Sequence, residues 1–117
     1  NVTEAISAVI IDLAGKVNAK AIVAETQTGT TAISISSWRP NLPLIVVTPQ
    51  DRTAQQLALL YGAQTFTRPV DPLAATKLTD WLRSQHLFQA GDKIVTASGK
   101  YPGHGGTTDT IKVRTLE

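Results

Sequence analysis

Cysteine is absent, which excludes a disulfide framework, a thiolate metal site and a cysteine nucleophile. No apolar run approaches the roughly 20 residues that a membrane-spanning helix needs, so the sequence predicts a soluble chain without a membrane partner. The opening Asn1-Val2-Thr3-Glu4 lacks the basic and apolar regions of a secretion signal. Charge of one sign is also scarce. Eleven Lys and Arg against nine Asp and Glu leave a formal charge of +2, too little to call for a nucleic-acid partner. A small anion stays open, because a local anion site needs only a few amide donors.

A hydrophobic share of 42% supplies a real core, and a mean hydropathy of −0.01 argues against disorder. At 117 residues the expected organisation is one domain, 1–117. A (β/α)₈ barrel takes roughly 250 residues, so none fits in this length. Any activity that needs one must come from another part of a longer protein. The helical pattern begins abruptly at the first residues, as expected of a domain cut from such a protein.

Apolar residues at Ile6, Val9, Ile10, Leu13, Ala14 and Val17 follow helical spacing, predicting a helix over 3–17 capped by Thr3. Ala21-Ile22-Val23-Ala24 is a short run without polar alternation, as expected of a strand covered on both faces. A second helix is predicted over 29–37, ended by Pro40. Leu44-Ile45-Val46-Val47 reads as a second buried strand. Thr48-Pro49-Gln50-Asp51 predicts a third helix start, with a hydroxyl cap, then proline, then an acid. Its apolar stripe is Ala54, Leu57, Ala58 and Tyr61, with Gly62 as the stop.

Residues 64–70 are a weaker strand candidate. Asp71-Pro72 is expected to open a fourth helix through about His86, with Ala74, Leu78, Trp81 and Leu82 inward. Residues 93–97 form another strand candidate, and 110–116 alternates like an edge strand. Strands alternating with helices at these lengths predict an α/β fold, a three-layer α/β/α sandwich. The loop before the last strand is too short for a helical crossover, so that strand is expected to run antiparallel.

Two segments could carry chemistry. The first is Thr26, Gln27, Thr28, Gly29, Thr30 and Thr31, directly after a strand and opening a helix. Ligands of open α/β sheets bind outside the carboxyl ends of strands. A helix N-terminus there offers amide donors and about half a positive charge, both suited to phosphate. The plainer alternative is that Thr26 or Thr28 caps the helix while Gly29 shapes the turn. The second segment is Gly99, Lys100, Tyr101, Pro102, Gly103, His104, Gly105 and Gly106, within a loop that holds four of the eight glycines. Its glycines allow a close backbone approach, and Lys100 and His104 could add charge; the alternative is a simple hairpin connection. His104 has no evident set of partner ligands, so a metal site has little support. Arg39 could pair locally, answer an acid across a subunit boundary or be solvated. Asp12, Glu25, Asp51, Asp80 and Asp109 form no recognisable acid pair, and no Ser-His-Asp arrangement stands out.

The blocks Asn18-Ala19-Lys20-Ala21-Ile22-Val23, Thr26-x-Thr28-Gly29-x-Thr31-Ala32, Ile35-Ser36-x-Trp38-Arg39-Pro40 and Pro43-Leu44-Ile45-Val46-Val47-Thr48 together resemble the C-terminal domain of pyruvate kinase. So do Gly91-Asp92-Lys93-Ile94-Val95, Ser98-Gly99, Pro102-Gly103 and Gly106-Thr107-Thr108-x-Thr110-Ile111-Lys112-Val113. The resemblance covers essentially the whole chain. It implies a mixed five-stranded sheet of order 3-2-1-4-5 with the last strand antiparallel. It also implies a regulatory and assembly domain of a cytoplasmic glycolytic enzyme rather than an active site. In the family, phosphoenolpyruvate and ADP react in a separate barrel with divalent metal (magnesium) and potassium, so no catalytic or metal residue is carried over and no cofactor is expected in this domain.

The resemblance further implies a phosphorylated effector, its phosphate in the 26–31 loop and its sugar under the 99–106 loop. Gln27 and Thr30 stand where relatives that respond to fructose 1,6-bisphosphate often carry lysine and arginine. The segment before the last helix, which in some relatives helps hold the other phosphate, is short. A sugar monophosphate or AMP is therefore expected over a bisphosphate. The edge strand 110–116 is expected to meet a symmetry mate in a homotetramer. Three alternatives stay open: a stand-alone binding module, a small α/β enzyme, and a structural interface domain with a vestigial effector site.

Overall fold

Along the strand Ala21–Glu25 (β1), successive side chains are buried in opposite directions, and this alternation organises the fold. In the computed structural model, Ile22 and Ala24 enter one core and Ala21 and Val23 a second, on the other face of the sheet. The strand Leu44–Thr48 (β2) divides likewise, with Leu44 and Val46 on the first side and Ile45 and Val47 on the second. The structure describes residues 2–26, 29–60, 63–69, 73–98 and 110–117.

The remaining strands are Ala63–Thr67 (β3), Lys93–Ser98 (β4) and Thr110–Thr115 (β5). The sheet order is β3-β2-β1-β4-β5. All pairings are parallel except β4 with β5, which is antiparallel, as expected from the short connection. Helices Val2–Lys16 (α1) and Thr30–Ser37 (α2) send Ile10, Ala14, Ala32 and Ile35 into the first core. Leu57 of the helix Asp51–Leu57 (α3) joins them. The helix Ala74–Ser84 (α4) covers the other face through Ala74, Ala75, Leu78 and Leu82. The three-layer sandwich and the strand order match expectation. No helix among the described residues is long and apolar enough to cross a membrane.

Three helices close on a left-handed residue that is not glycine: Asn18, Arg39 and His86. After α1, Asn18 donates to Gly15 and Ala19 to Ala14; after α4, His86 donates to Arg83 and Leu87 to Leu82. These paired bonds are Schellman closures that satisfy the last helical carbonyls. After α2, Arg39 donates to Ser36, and Pro40 has no amide to supply the second bond.

Several local expectations need correction. Thr3 lies within α1 rather than before it, and Val9 of the predicted apolar stripe is 54% exposed. Thr48 belongs to β2, not to a helix cap, and α3 begins at Asp51 behind Gln50. The Thr48 hydroxyl accepts from the Gln50 amide at 3.2 Å, and its carbonyl accepts from Arg68. Ala58 follows the end of α3 and is exposed, while Tyr61 and Gly62 lie outside the described residues. β3 is shorter than the 64–70 run because the ladder with β2 ends at the Thr48–Thr67 pair. The expected opening of α4 at Asp71-Pro72 also lies outside the described residues. Trp81 is 46% exposed rather than inward, and Ala75 and Thr79 take the buried positions.

Candidate functional site

Ala24 pairs with Ala97, so the carboxyl ends of β1 and β4 lie side by side. From β1 the sheet extends through β2 and β3 on one side and through β4 and β5 on the other. The connection after β1 leads to α2 on one face, and the connection after β4 leads to the antiparallel edge. This point of divergence is where open α/β sheets form a ligand crevice. Both segments singled out in the sequence leave the sheet here, immediately after Glu25 and Ser98.

Four of the predicted site residues are described. Thr26 is partly buried, and its amide donates to the Val47 carbonyl at 3.0 Å, which extends β1 by one residue. The Gly29 amide donates to Thr26 Oγ1 at 2.9 Å. The hydroxyl proton of Thr26 remains a donor after this bond is made. Gly29 takes φ 93° and ψ −7°, a left-handed conformation that glycine adopts without steric cost, and forms the N-cap of α2. Thr30 is exposed at the first helical position, whereas Thr31 is only 4% exposed and sits inside the first turn. Both have polar or electrostatic partners. Gln27, Thr28, Gly99, Lys100, Tyr101, Pro102, Gly103, His104, Gly105 and Gly106 lie outside the described residues.

The Gly29 amide is thus already committed to Thr26, as in the plainer reading of this turn. The positive end of α2 has no acidic residue in its first turn and no side-chain bond from its cap. α4 likewise has no acidic residue in its first turn and no side-chain bond from its cap, but a carboxylate from elsewhere in the fold reaches its start. There the Ala75 amide donates to Glu25 Oε1 at 3.1 Å, so the last residue of β1 supplies a carboxylate to a helix start 50 residues away. In the sequence Glu25 belongs to no recognisable acid pair. Its place after Val23 in an alternating strand puts it on the α4 face, and that alternation was the available signal.

A second tie links the edge strand to α4. Arg114 contacts Asp80 Oδ1 through Nη2 at 2.6 Å and the Thr76 carbonyl through Nη1 at 3.4 Å. Among the described residues no group of three or more His, Asp or Glu side chains is arranged to hold a metal ion.

These features define an open α/β sandwich with a switch point between β1 and β4 and a glycine-opened helix after β1. The chain belongs to the pyruvate kinase alpha/beta domain family, whose family model matches residues 4–114. It is similar to pyruvate kinase of Clostridium acetobutylicum, with 34% identity over 100% of this chain and 25% of that protein. Pyruvate kinase 2 of Synechocystis sp. is 33% identical over 100% of this chain and 20% of its own length. Among solved structures, a pyruvate kinase from Cryptosporidium parvum matches with a TM-score of 0.85 and 26% identity, covering 100% of this chain and 23% of that one. The chain thus spans a fifth to a quarter of the length of these relatives.

Proposed function

We propose that this chain is the regulatory and oligomerisation domain of a pyruvate kinase, that it binds a phosphorylated effector where α2 begins, and that it contributes to the subunit interface. One observation carries the reading: the two predicted effector loops leave neighbouring parallel strands at the switch point of the sheet. In this reading the full-length protein supplies the catalytic barrel, with its magnesium and potassium, and the present residues supply none of the phosphoryl-transfer chemistry. The favoured effector is a sugar monophosphate or AMP, because Gln27 and Thr30 bring hydroxyl and amide groups rather than cations to the first loop.

The regulatory mechanism follows from the connectivity. The 99–106 loop precedes β5, whose outer edge has no strand partner among the described residues. Effector binding orders that loop, repositions β5 at a two-fold subunit boundary, and shifts the tetramer between two quaternary states. The test is steady-state kinetics of the full-length enzyme with sugar monophosphates and AMP, comparing wild type with Thr28→Ala and Thr31→Ala. Loss of activation in the variants is expected, and an unchanged effector response removes the site assignment. The Thr26–Gly29 bond favours a second reading, a structural interface domain with a vestigial effector site. Isothermal titration with candidate phosphates separates the two.

A further inference from the structure

The edge strand β5 gives little apolar surface to either core. Ile111 packs against the first core, and Leu116, just past the end of the strand, is buried in the second. Between them Val113 is 41% exposed, and Lys112 and Thr115 face solvent. The middle of the strand is held by its ladder with β4 and by the side chain of Arg114. Arg114 pairs across that ladder with Ile94, whose side chain lies in the second core, so the arginine stands on the α4 face of the sheet. Its Nη2 lies 2.6 Å from Asp80 Oδ1, and its Nη1 donates to the Thr76 carbonyl at 3.4 Å. Thr76 and Asp80 are about one helical turn apart on α4, so one planar group holds two successive levels of the helix.

We propose that Arg114 is a positioning residue for assembly: by holding α4 it fixes the tilt of β5 in the free subunit, so that the outer edge of the strand is already in place for a second copy of the chain. The inference rests on the reading of β5 as part of a subunit boundary. A strand with a ladder on one side, and apolar anchors only towards its ends, flexes about that ladder when nothing holds its middle. Association must then order the strand as well as join the subunits, and that ordering weakens binding. A tie made beforehand within the chain removes this cost. The ion pair adds little to the stability of the fold, because Asp80 is largely solvated. A two-fold contact nevertheless contains the tie twice, so its effects on association multiply.

The test is sedimentation of the full-length protein over a dilution series at low and high salt, with hydrogen exchange of the β5 and α4 amides in the dissociated subunit. The proteins compared are wild type, Arg114→Ala, Arg114→Lys, and the charge exchange of Arg114→Glu with Asp80→Arg. Expected in Arg114→Ala are an association constant lower by about threefold to tenfold and a shallower salt dependence. Exchange should quicken in β5 and not in α4, with the urea midpoint of the domain nearly unchanged. Arg114→Lys should recover part of the association, since an ammonium does not span both acceptors, and the charge exchange should recover more. Unchanged association in Arg114→Ala overturns the inference and leaves Arg114 a structural tie. Weaker association without faster β5 exchange also overturns it, because Arg114 would then touch the second copy directly. If wild type stays monomeric at every concentration, the subunit-boundary reading falls and the inference falls with it.

Discussion

A Cβ added to Gly29 would lie 2.9 Å from Leu57 Cδ2, so the turn that opens α2 is packed directly against the end of α3. At φ 93° an alanine would also meet the left-handed penalty, about 1–2 kcal/mol, and crowding a packed core adds about 1 kcal/mol or more. Gly29→Ala should therefore lower stability by about 2–3 kcal/mol, read as a lower urea midpoint at unchanged slope. Leu57→Ala should cost about 2–5 kcal/mol alone. Truncating Leu57 removes the clash, so the double variant should be less destabilised than the sum by about 1 kcal/mol. Strict additivity would show that the contact plays no part.

The bond from the Gly29 amide to Thr26 Oγ1 fixes the same turn from the other side. Thr26→Val keeps the side-chain shape but leaves that amide without its acceptor, at a cost of about 1–2 kcal/mol in a partly buried site. Thr26→Ser should restore most of it. Amide hydrogen exchange at Gly29 gives the direct readout: protection should fall in the valine variant and return with serine. Equal protection in all three proteins would mean that the hydroxyl is not the acceptor in solution.

The parts of the fold legible in the sequence are those whose cause is local. Ala21–Ala24 and Leu44–Val47 read as strands because residues covered on both faces have no need of polar alternation. Thr48-Pro49 misled because its side chains fit a helix start, while the actual contest was settled by the ladder with Thr67 and the carbonyl bond to Arg68. Trp81 fits the apolar period of α4 but lies at the margin of a stripe that Leu78 and Leu82 already fill. At the site, the side-by-side ends of β1 and β4 follow from strand order, and the threonine-rich run after β1 made a local hydroxyl contact such as that of Thr26 with the Gly29 amide readable. The role of Glu25 was not legible, because its partner comes from a helix 50 residues further on and only the packed sheet brings them together. The Arg114 tie to α4 was hidden for the same reason, with 34 residues between the charges.

Arg114 joins the edge strand to α4 by two separate nitrogens, one on Asp80 and one on the Thr76 carbonyl. Asp80 is largely solvated, so the ion pair itself should contribute only about 0.2–1 kcal/mol and weaken with salt. A double-variant cycle of Arg114→Ala and Asp80→Ala, measured at low and high ionic strength, should show a small coupling that shrinks at high salt. Arg114→Lys should recover less than the full amount, because an ammonium does not reproduce the planar two-nitrogen arrangement. Coupling that is insensitive to salt would point instead to packing by the arginine stem.

Trp81 is exposed, yet it is not without partners. Its ring meets Phe66 edge-on at 6.2 Å between centroids, and the Arg68 guanidinium lies 5.5 Å from the Trp81 ring and 5.9 Å from Phe66. The T-shaped pair is worth about 0.5–1.5 kcal/mol, and an exposed cation–π contact about 0.5–1 kcal/mol. Trp81→Ala should thus cost about 1–2 kcal/mol, more than solvent-facing substitutions usually do, and Trp81→Phe should recover roughly half. Arg68→Ala should cost less, since its backbone bond to the Thr48 carbonyl survives the change, and it should shift the tryptophan emission by removing the cation over the ring. Denaturant melts and emission spectra of the three variants decide the matter. If Trp81→Ala is as stable as wild type, the half-exposed ring is a surface residue and the Phe66–Arg68 cluster does not anchor β3 to α4.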